Sequence, residues 1–454
     1  MVSGRSLFKA ATAGFITASK GARNLLAQPI GSRYKFTMDS GPGPETVING
    51  KRYLYFGGTG YFGFQTHPEL IRAAQKGLAE FGMCTATSRN IFGTSPLHLE
   101  VEKKARELFG SDDAIYLPSG YLINIAGFQA LTQLKRFDVM FVDEGAHWSI
   151  TDFMYAVQKP VFTFAHGDAE DLGRKLKANL QAGQRPLVVS DGIFPTFGKI
   201  APLPAYFQLV ESYDGCMWVD DCHAVGVLGE HGRGTYEYYG MRSDRLYFGG
   251  TLSKAVGAHG GIIPGKEEFV LPIRSGHIAN GANASVSAAA AAAVKGLDLM
   301  MTRPELRQQL WRNARHLKSG LKAMGFDQDD TPVPAAAWAL KTSEDMDRVH
   351  GAMMERGIAI QRTQYVGAGP NGLLRAVVFA NHKPEQIDRM LNQIEVSGIM
   401  INVFCPFLAW PGSLPFQVCF LEGADAIMES KLSPPCGPNR LEQSRPDTDA
   451  GATK

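Results

Sequence analysis

The sequence lacks paired cysteines, a charge excess and a long apolar run, and each absence excludes something. Its six cysteines (Cys84, Cys216, Cys222, Cys405, Cys419, Cys436) are scattered over 454 residues without a C-x-x-C spacing. Neither a disulfide framework nor a zinc or other metal site is therefore expected, and a reducing compartment, the cytoplasm, is. A formal net charge of +2 provides no basic patch for nucleic acid. No uninterrupted apolar run reaches the roughly 18–20 residues that a membrane-spanning helix needs. The nearest, Ile399 to Leu408 with its continuation to Phe420, is broken by Pro406, Pro411 and Pro415. The first 38 residues hold Arg5, Lys9, Lys20, Arg23, Arg33 and Lys35 but no acid. That composition suits an organelle transit segment or an amphipathic arm packed on the body or a partner subunit, and the arm is preferred. The chain has no internal repeat.

What is present is a chain too long for one hydrophobic core, so at least two packed units are expected. Its 50 glycines point to many turns and close backbone approaches. Short apolar runs recur at Ala114–Leu117, Val139–Val142, Pro186–Val189, Cys216–Val219 and Leu246–Phe248, with helical stretches such as Leu97–Phe109 between them. Continuous apolar strands alternating with helices predict an α/β fold with a mainly parallel sheet covered on both faces. Ala284–Leu299 and Pro304–Met324 read as helices. A smaller α+β lobe follows, with strands near 335–340, 358–361 and 373–379 and helices near 344–356 and 384–394. The expected division is an N-terminal arm (1–52), a large domain (53–297), a small domain (298–396) and an atypical tail (397–454) whose polar end, Pro434–Lys454, reads as disordered.

Two segments narrow the chemistry. Lys254 sits in Gly249-Gly250-Thr251-Leu252-Ser253-Lys254-Ala255-Val256-Gly257, and Asp220 and His223 sit in Val219-Asp220-Asp221-Cys222-His223. A lysine among small and apolar residues is hard to explain as a surface charge, because buried lysines are rare unless used. Its amine can form a Schiff base with an aldehyde, and an aspartate after an apolar strand can keep a pyridine nitrogen protonated. Together they predict pyridoxal 5'-phosphate as cofactor. Asp220, His223 and Lys254 each follow an apolar strand, where parallel sheets place their ligands. Ser119-Gly120-Tyr121 follows the Ala114 strand and can open a helix whose free N–H groups would hold a phosphate. Alone it reads as an ordinary strand-to-helix turn, and only in the company of the other motifs is the phosphate preferred. Thr251 is a further candidate hydroxyl for that phosphate. Arg375 suits a substrate carboxylate, since guanidinium binds carboxylates bidentately, and suits an internal salt bridge equally well.

The order of motifs resembles the α-oxoamine synthase family from about Gly60 to Ile394. The matching segments are Gly60-Tyr61-Phe62-Gly63 with His67-Pro68-Glu69, Ser88-Arg89-Asn90 to Thr94 with His98 and Glu102, and Ser119-Gly120-Tyr121 with Asn124. His147-Trp148-Ser149, His166-Gly167-Asp168, Gly226 to Gly234, and Arg375 with Ala380 and His382 complete the series. The resemblance implies a fold-type I pyridoxal-phosphate transferase with a seven-stranded-type sheet, working as a homodimer with its site at the subunit interface. It implies that His147 stacks on the cofactor ring, that His223 reaches the ring's phenolic oxygen, and that Arg89 and Asn90 line the substrate entrance. The implied activity is decarboxylating condensation of an amino acid with an acyl-CoA or acyl-carrier thioester to an α-aminoketone. A pyridoxal-phosphate aminotransferase acting without CoA, and a non-catalytic partner subunit, are the competing readings. The chain departs from the family at Pro195, where a serine often stands near the cofactor, at Phe197, in Ala279 to Ser285, where the family's hydroxyls reach the phosphate across the dimer interface, and at Phe379. These changes leave the Schiff-base machinery intact and bear on the amino-acid and acyl specificity.

Overall fold

The computed structural model describes residues 35–281 and 283–396. Most of the basic segment at the start and the whole tail from residue 397 lie outside the described residues. Seven strands form the central sheet: β1 (Asp113–Leu117), β2 (Val139–Asp143), β3 (Val161–Phe164), β4 (Pro186–Asp191), β5 (Cys216–Asp220), β6 (Leu246–Thr251) and β7 (Gly261–Gly265). Their spatial order is β1-β7-β6-β5-β4-β2-β3. β7 runs antiparallel to both its neighbours, and the other neighbouring pairs are parallel.

The apolar runs behave as two-sided strands. β2, β4 and β5 are buried along their whole length. Successive residues feed different cores. Val139, Phe141, Val188, Met217 and Val219 pack on one face with Leu172, Leu176, Leu203 and Val210 of the covering helices. Met140, Val142, Leu187, Val189, Cys216 and Trp218 pack on the other with Ala126, Phe128, Phe269 and Ile273. This alternation is what a pleated strand requires when helices cover both sides. Each fully buried branched or aromatic side chain contributes about 1.5–3 kcal/mol to that sandwich.

Beyond the helix Ser287–Thr302 lies an antiparallel sheet in which Leu373–Val377 is flanked by Ala335–Trp338 and Gln361–Thr363. The helices Pro304–Ala323, Ser343–Glu355 and Pro384–Val396 accompany it. The single strand expected near 358–361 is divided. Ile358–Ala359 pairs instead with Lys51–Tyr55, one arm of a hairpin with Glu45–Ile48. That hairpin turns through Asn49 and Gly50, both at positive φ, the conformation that Asn-Gly turns favour. Among the described residues no helix is long and apolar enough to cross a membrane.

Candidate functional site

The carboxyl ends of the parallel strands carry acids and hydroxyls: Asp143 ends β2, Asp191 ends β4, Asp220 ends β5 and Thr251 ends β6. Beyond this edge lies a cavity of about 170 Å³ whose walls include Ser119, Gly120, Tyr121, His147, Asp220, His223, Thr251 and Lys254. All eight residues expected around the cofactor thus meet in one place. Ser149, Asp191, Cys222 and Ser253 line it as well.

Trp218 on β5 organises the floor. The helix Ile123–Gln133 lies close over its indole, and Gly127 permits the approach, since a Cβ there would collide with the ring. At that distance Trp218 Nε1 donates to Asn124 Oδ1 at 2.7 Å. The Asn124 amide then donates to Asp220 Oδ2 at 2.8 Å and to Ser149 Oγ at 2.9 Å. Asp220 Oδ1 accepts from the Cys222 N–H at 3.0 Å, and the residue is 3% exposed. Its carboxylate is therefore held in one orientation by two donors. The next residue, Asp221, faces away and receives the N–H and hydroxyl of Thr235. Burial pushes its carboxyl up to about 7.

The same helix is preceded by the tight turn Gly120–Leu122, whose start is capped by Ser119 Oγ accepting from Tyr121 N–H at 3.1 Å. Gly120 abuts Thr251 so closely that a Cβ would stand 2.5 Å from Thr251 Oγ1. The result is a cradle of backbone N–H and hydroxyl groups at a helix start, a suitable seat for a phosphate. The Thr251 hydroxyl itself donates to Gly260 O at 3.0 Å, and Ser253 Oγ lies 3.2 Å from it.

Lys254 follows β6 and lines the cavity, its backbone carbonyl accepting from Gln65 Nε2 at 2.7 Å. Its positive charge acts on His147, Cys222, His223 and Asp191. His147 is kept below the usual histidine range, mainly by burial. His223 is lowered further, by burial first and then by Lys254 and Arg375, and its Nδ1 lies 2.7 Å from the Tyr61 hydroxyl. Both imidazoles are neutral near pH 7.

Arg375 is buried in the middle of the strand Leu373–Val377, where Nη1 donates to Gln361 Oε1 at 2.5 Å and Nε has no partner. It stands outside the cavity lining, yet its charge acts on His223 within it and on Tyr61, the hydrogen-bond partner of His223. Arg89 and Asn90 lie elsewhere. Arg89 is engaged by Glu102 Oε1 at 2.6 Å and by Tyr116 O at 3.1 Å, while exposed Asn90 bonds to Asn280 and Arg274.

Sequence reading missed Asp191 and Tyr365. Asp191 ends an apolar strand as Asp220 does, so the same signal could have found it. Tyr365 lies in a loop without pattern, and its hydroxyl sits 2.7 Å from His147 Nε2.

An aldehyde, a phosphate and a pyridine nitrogen match this donor set: an amine at Lys254, N–H and hydroxyl groups at Ser119–Tyr121, Thr251 and Ser253, and a carboxylate at Asp220. Residues 57–394 match the aminotransferase class I and II family. The chain belongs to that family. Within it the similar proteins are α-oxoamine synthases. An 8-amino-7-oxononanoate synthase 1 from Bacillus velezensis is 32% identical over 78% of this chain and 90% of its own. A serine palmitoyltransferase from Sphingobacterium spiritivorum is 31% identical over 78% of this chain and 91% of its own. The solved serine palmitoyltransferase from S. paucimobilis, with PLP (pyridoxal phosphate) and myriocin bound, superposes with a TM-score of 0.75 at 28% identity. That match covers 86% of this chain and 98% of that one. The family's fold, a mostly parallel sheet flanked by helices, is the fold seen here.

Proposed function

We propose that this family member condenses an amino acid with an acyl-CoA thioester, releasing CO2 and CoA and forming an α-aminoketone. The observation that carries the reading is the convergence of Lys254, Asp220, His147, His223 and the Ser119–Tyr121 turn on one cavity. The relatives named as 8-amino-7-oxononanoate synthase and serine palmitoyltransferase support it. Pyridoxal phosphate, when bound, supplies the electron sink that makes the amino acid's α-hydrogen acidic.

The protein's own groups do the rest. Lys254 would hold the cofactor's aldehyde and, once freed, take the α-proton. Asp220, fixed by Asn124 and Cys222, would keep the ring nitrogen protonated. Neutral His147 would lie over the ring face, and neutral His223 would face the phenolic oxygen. Ser119, Gly120, Tyr121, Thr251 and Ser253 would bind the phosphate. Arg375 would hold the substrate carboxylate, and its unpartnered Nε supports that role. Arg89 is better read as a structural partner of Glu102, and Asn90 as part of the entrance wall.

A homodimer belongs to the same proposal. Met83, Ile91, Phe92, Leu99, Leu271 and Val286 are exposed. Their segments adjoin, since Asn90 bonds to Asn280 and Ser287 N–H to Met83 O. A cluster of exposed apolar side chains of this kind marks a contact surface. The division at 52, 297 and 396 and a cytoplasmic location complete the reading.

The test is to load the protein with pyridoxal phosphate and offer amino acids with and without acyl-CoAs. CO2 and free CoA released only when both substrates are present support the synthase. Amino transfer to a keto acid without CoA would show an aminotransferase instead.

A further inference from the structure

A chain of hydrogen bonds crosses the site from Trp218 to Tyr365, and donor bookkeeping fixes its direction throughout. The Trp218 indole N–H can only donate, so the Asn124 atom 2.7 Å away is the carbonyl oxygen. The Asn124 NH2 then spends its two hydrogens on Asp220 and Ser149. Ser149 Oγ, accepting from Asn124, has its own hydrogen for His147 Nδ1 at 2.7 Å. The backbone N–H of Ser149 also points at that nitrogen, at 3.0 Å. Nδ1 therefore accepts, and the single proton of the neutral ring sits on Nε2. Nε2–H donates to the Tyr365 oxygen at 2.7 Å. The Tyr365 hydroxyl hydrogen is left over, with no other partner among the described residues.

Its loop is well held. Tyr365 packs on Trp148 with ring centroids 4.4 Å apart, and Thr196 Oγ1 donates to the neighbouring Val366 O at 2.7 Å. The hydroxyl stands in the fields of Asp191, Asp220 and Arg375.

We infer that Tyr365 is a catalytic hydrogen-bond donor for the acyl half of the reaction, its free hydrogen offered to the thioester carbonyl oxygen. The inference rests on the acyl-transfer reading above. As the amino acid's α-carbon bonds to the thioester carbon, the carbonyl pair moves to oxygen, where the Tyr365 O–H stabilises the charge. When the C–S bond breaks, the pair returns to the carbonyl, the thiolate leaves and Tyr365 keeps its proton. The amino-acid half, in which Lys254 takes the α-hydrogen, does not need this donor.

Two measurements test it. In nitrogen-15-labelled protein without cofactor, the His147 resonances, identified by comparison with His147→Gln, should show the neutral Nε2–H tautomer. The Nδ1–H tautomer or a doubly protonated ring would overturn the inference. In the loaded enzyme, Tyr365→Phe should lower kcat for condensation about 10²-fold. It should leave the amino acid's KM and its α-hydrogen exchange into D2O within about twofold of the wild type. Undiminished condensation, or an equal loss of exchange, would overturn the role. The variant keeps the ring on Trp148 and should melt within a few degrees of the parent, and the tautomer measurement needs no variant at that position. If wild-type protein exchanged the α-hydrogen but condensed no acyl-CoA, the acyl-transfer reading would fail and this role with it. The tautomer result would then still stand.

Discussion

Asp191 and Asp220 occupy paired positions on the neighbouring parallel strands β4 and β5, at the carboxyl edge of the sheet. Two buried acids side by side cannot both ionise cheaply. Asp220 is served by Asn124 and the Cys222 N–H. Asp191 has the His147 N–H at 2.8 Å, and its carboxyl is pushed well above the usual range by burial and then by Asp220. Asp191 therefore holds its proton to a higher pH than an ordinary carboxyl does.

A stability profile follows from that assignment. The folded pKa is raised, so the folded state binds the extra proton, and its advantage is lost as pH rises from about 4 through the raised value. Asp191→Asn keeps the shape and removes the titration. The variant should lose less stability than the parent on going from acid to mildly alkaline buffer, measured as Tm against pH without cofactor. Parallel profiles for the two proteins would contradict the assignment.

Gly127 is where helix and sheet come closest, and the helix carries Asn124 while the phosphate turn precedes it. Gly127→Val would force a branched side chain against Trp218, an overpacking worth about 1–3 kcal/mol. It should weaken pyridoxal phosphate binding as well, because Asn124 and the Ser119–Tyr121 turn move with the helix. Melting curves and a fluorescence titration with the cofactor check both effects. A variant as stable and as tight as the parent would show that the close approach is unimportant.

His382 is an acid-labile joint. It is 2% exposed and stacks on Phe56 with centroids 4.6 Å apart. Its Nδ1 accepts from Phe379 N–H at 2.8 Å, and Nε2 donates to Tyr55 O at 3.1 Å. Burial lowers its pKa to about 4. The unfolded chain takes up a proton below about 6.5, so stability present above that pH is lost as pH falls from about 6.5 to 4. The loss should be on the order of 3 kcal/mol. His382→Gln should be less stable at neutral pH but flatter through this window in urea titrations at several pH values. An unchanged slope would exclude His382 as the cause.

Strands bounded by polar residues were legible because their apolar runs are unbroken: β1, β2, β4, β5 and β6 lie where the sequence puts them. β7 was not, since Gly261, Pro264 and Gly265 leave only Ile262 and Ile263 as an apolar run, and pairing with β1 and β6 makes the strand. β3 has only Phe164 buried, too little for a core-strand signal. Within the site, residues that follow strands could be anticipated from order alone. Asn124 and Ser149 stood in recognised motifs without a role, because their work depends on Trp218 lying under the helix, which no spacing reveals. Tyr365 reaches His147 across 218 residues of chain, a contact that only the tertiary fold creates.

The central claim is that Lys254 holds pyridoxal phosphate opposite Asp220, and one measurement addresses it most directly. Purified protein loaded with the cofactor is treated with borohydride, digested, and the modified peptide identified by mass. The cofactor mass should appear on Lys254 alone, and Lys254→Ala should retain the fold but yield no labelled peptide. A reducible link that persists in Lys254→Ala at wild-type yield, or one mapped to another lysine, would contradict the account.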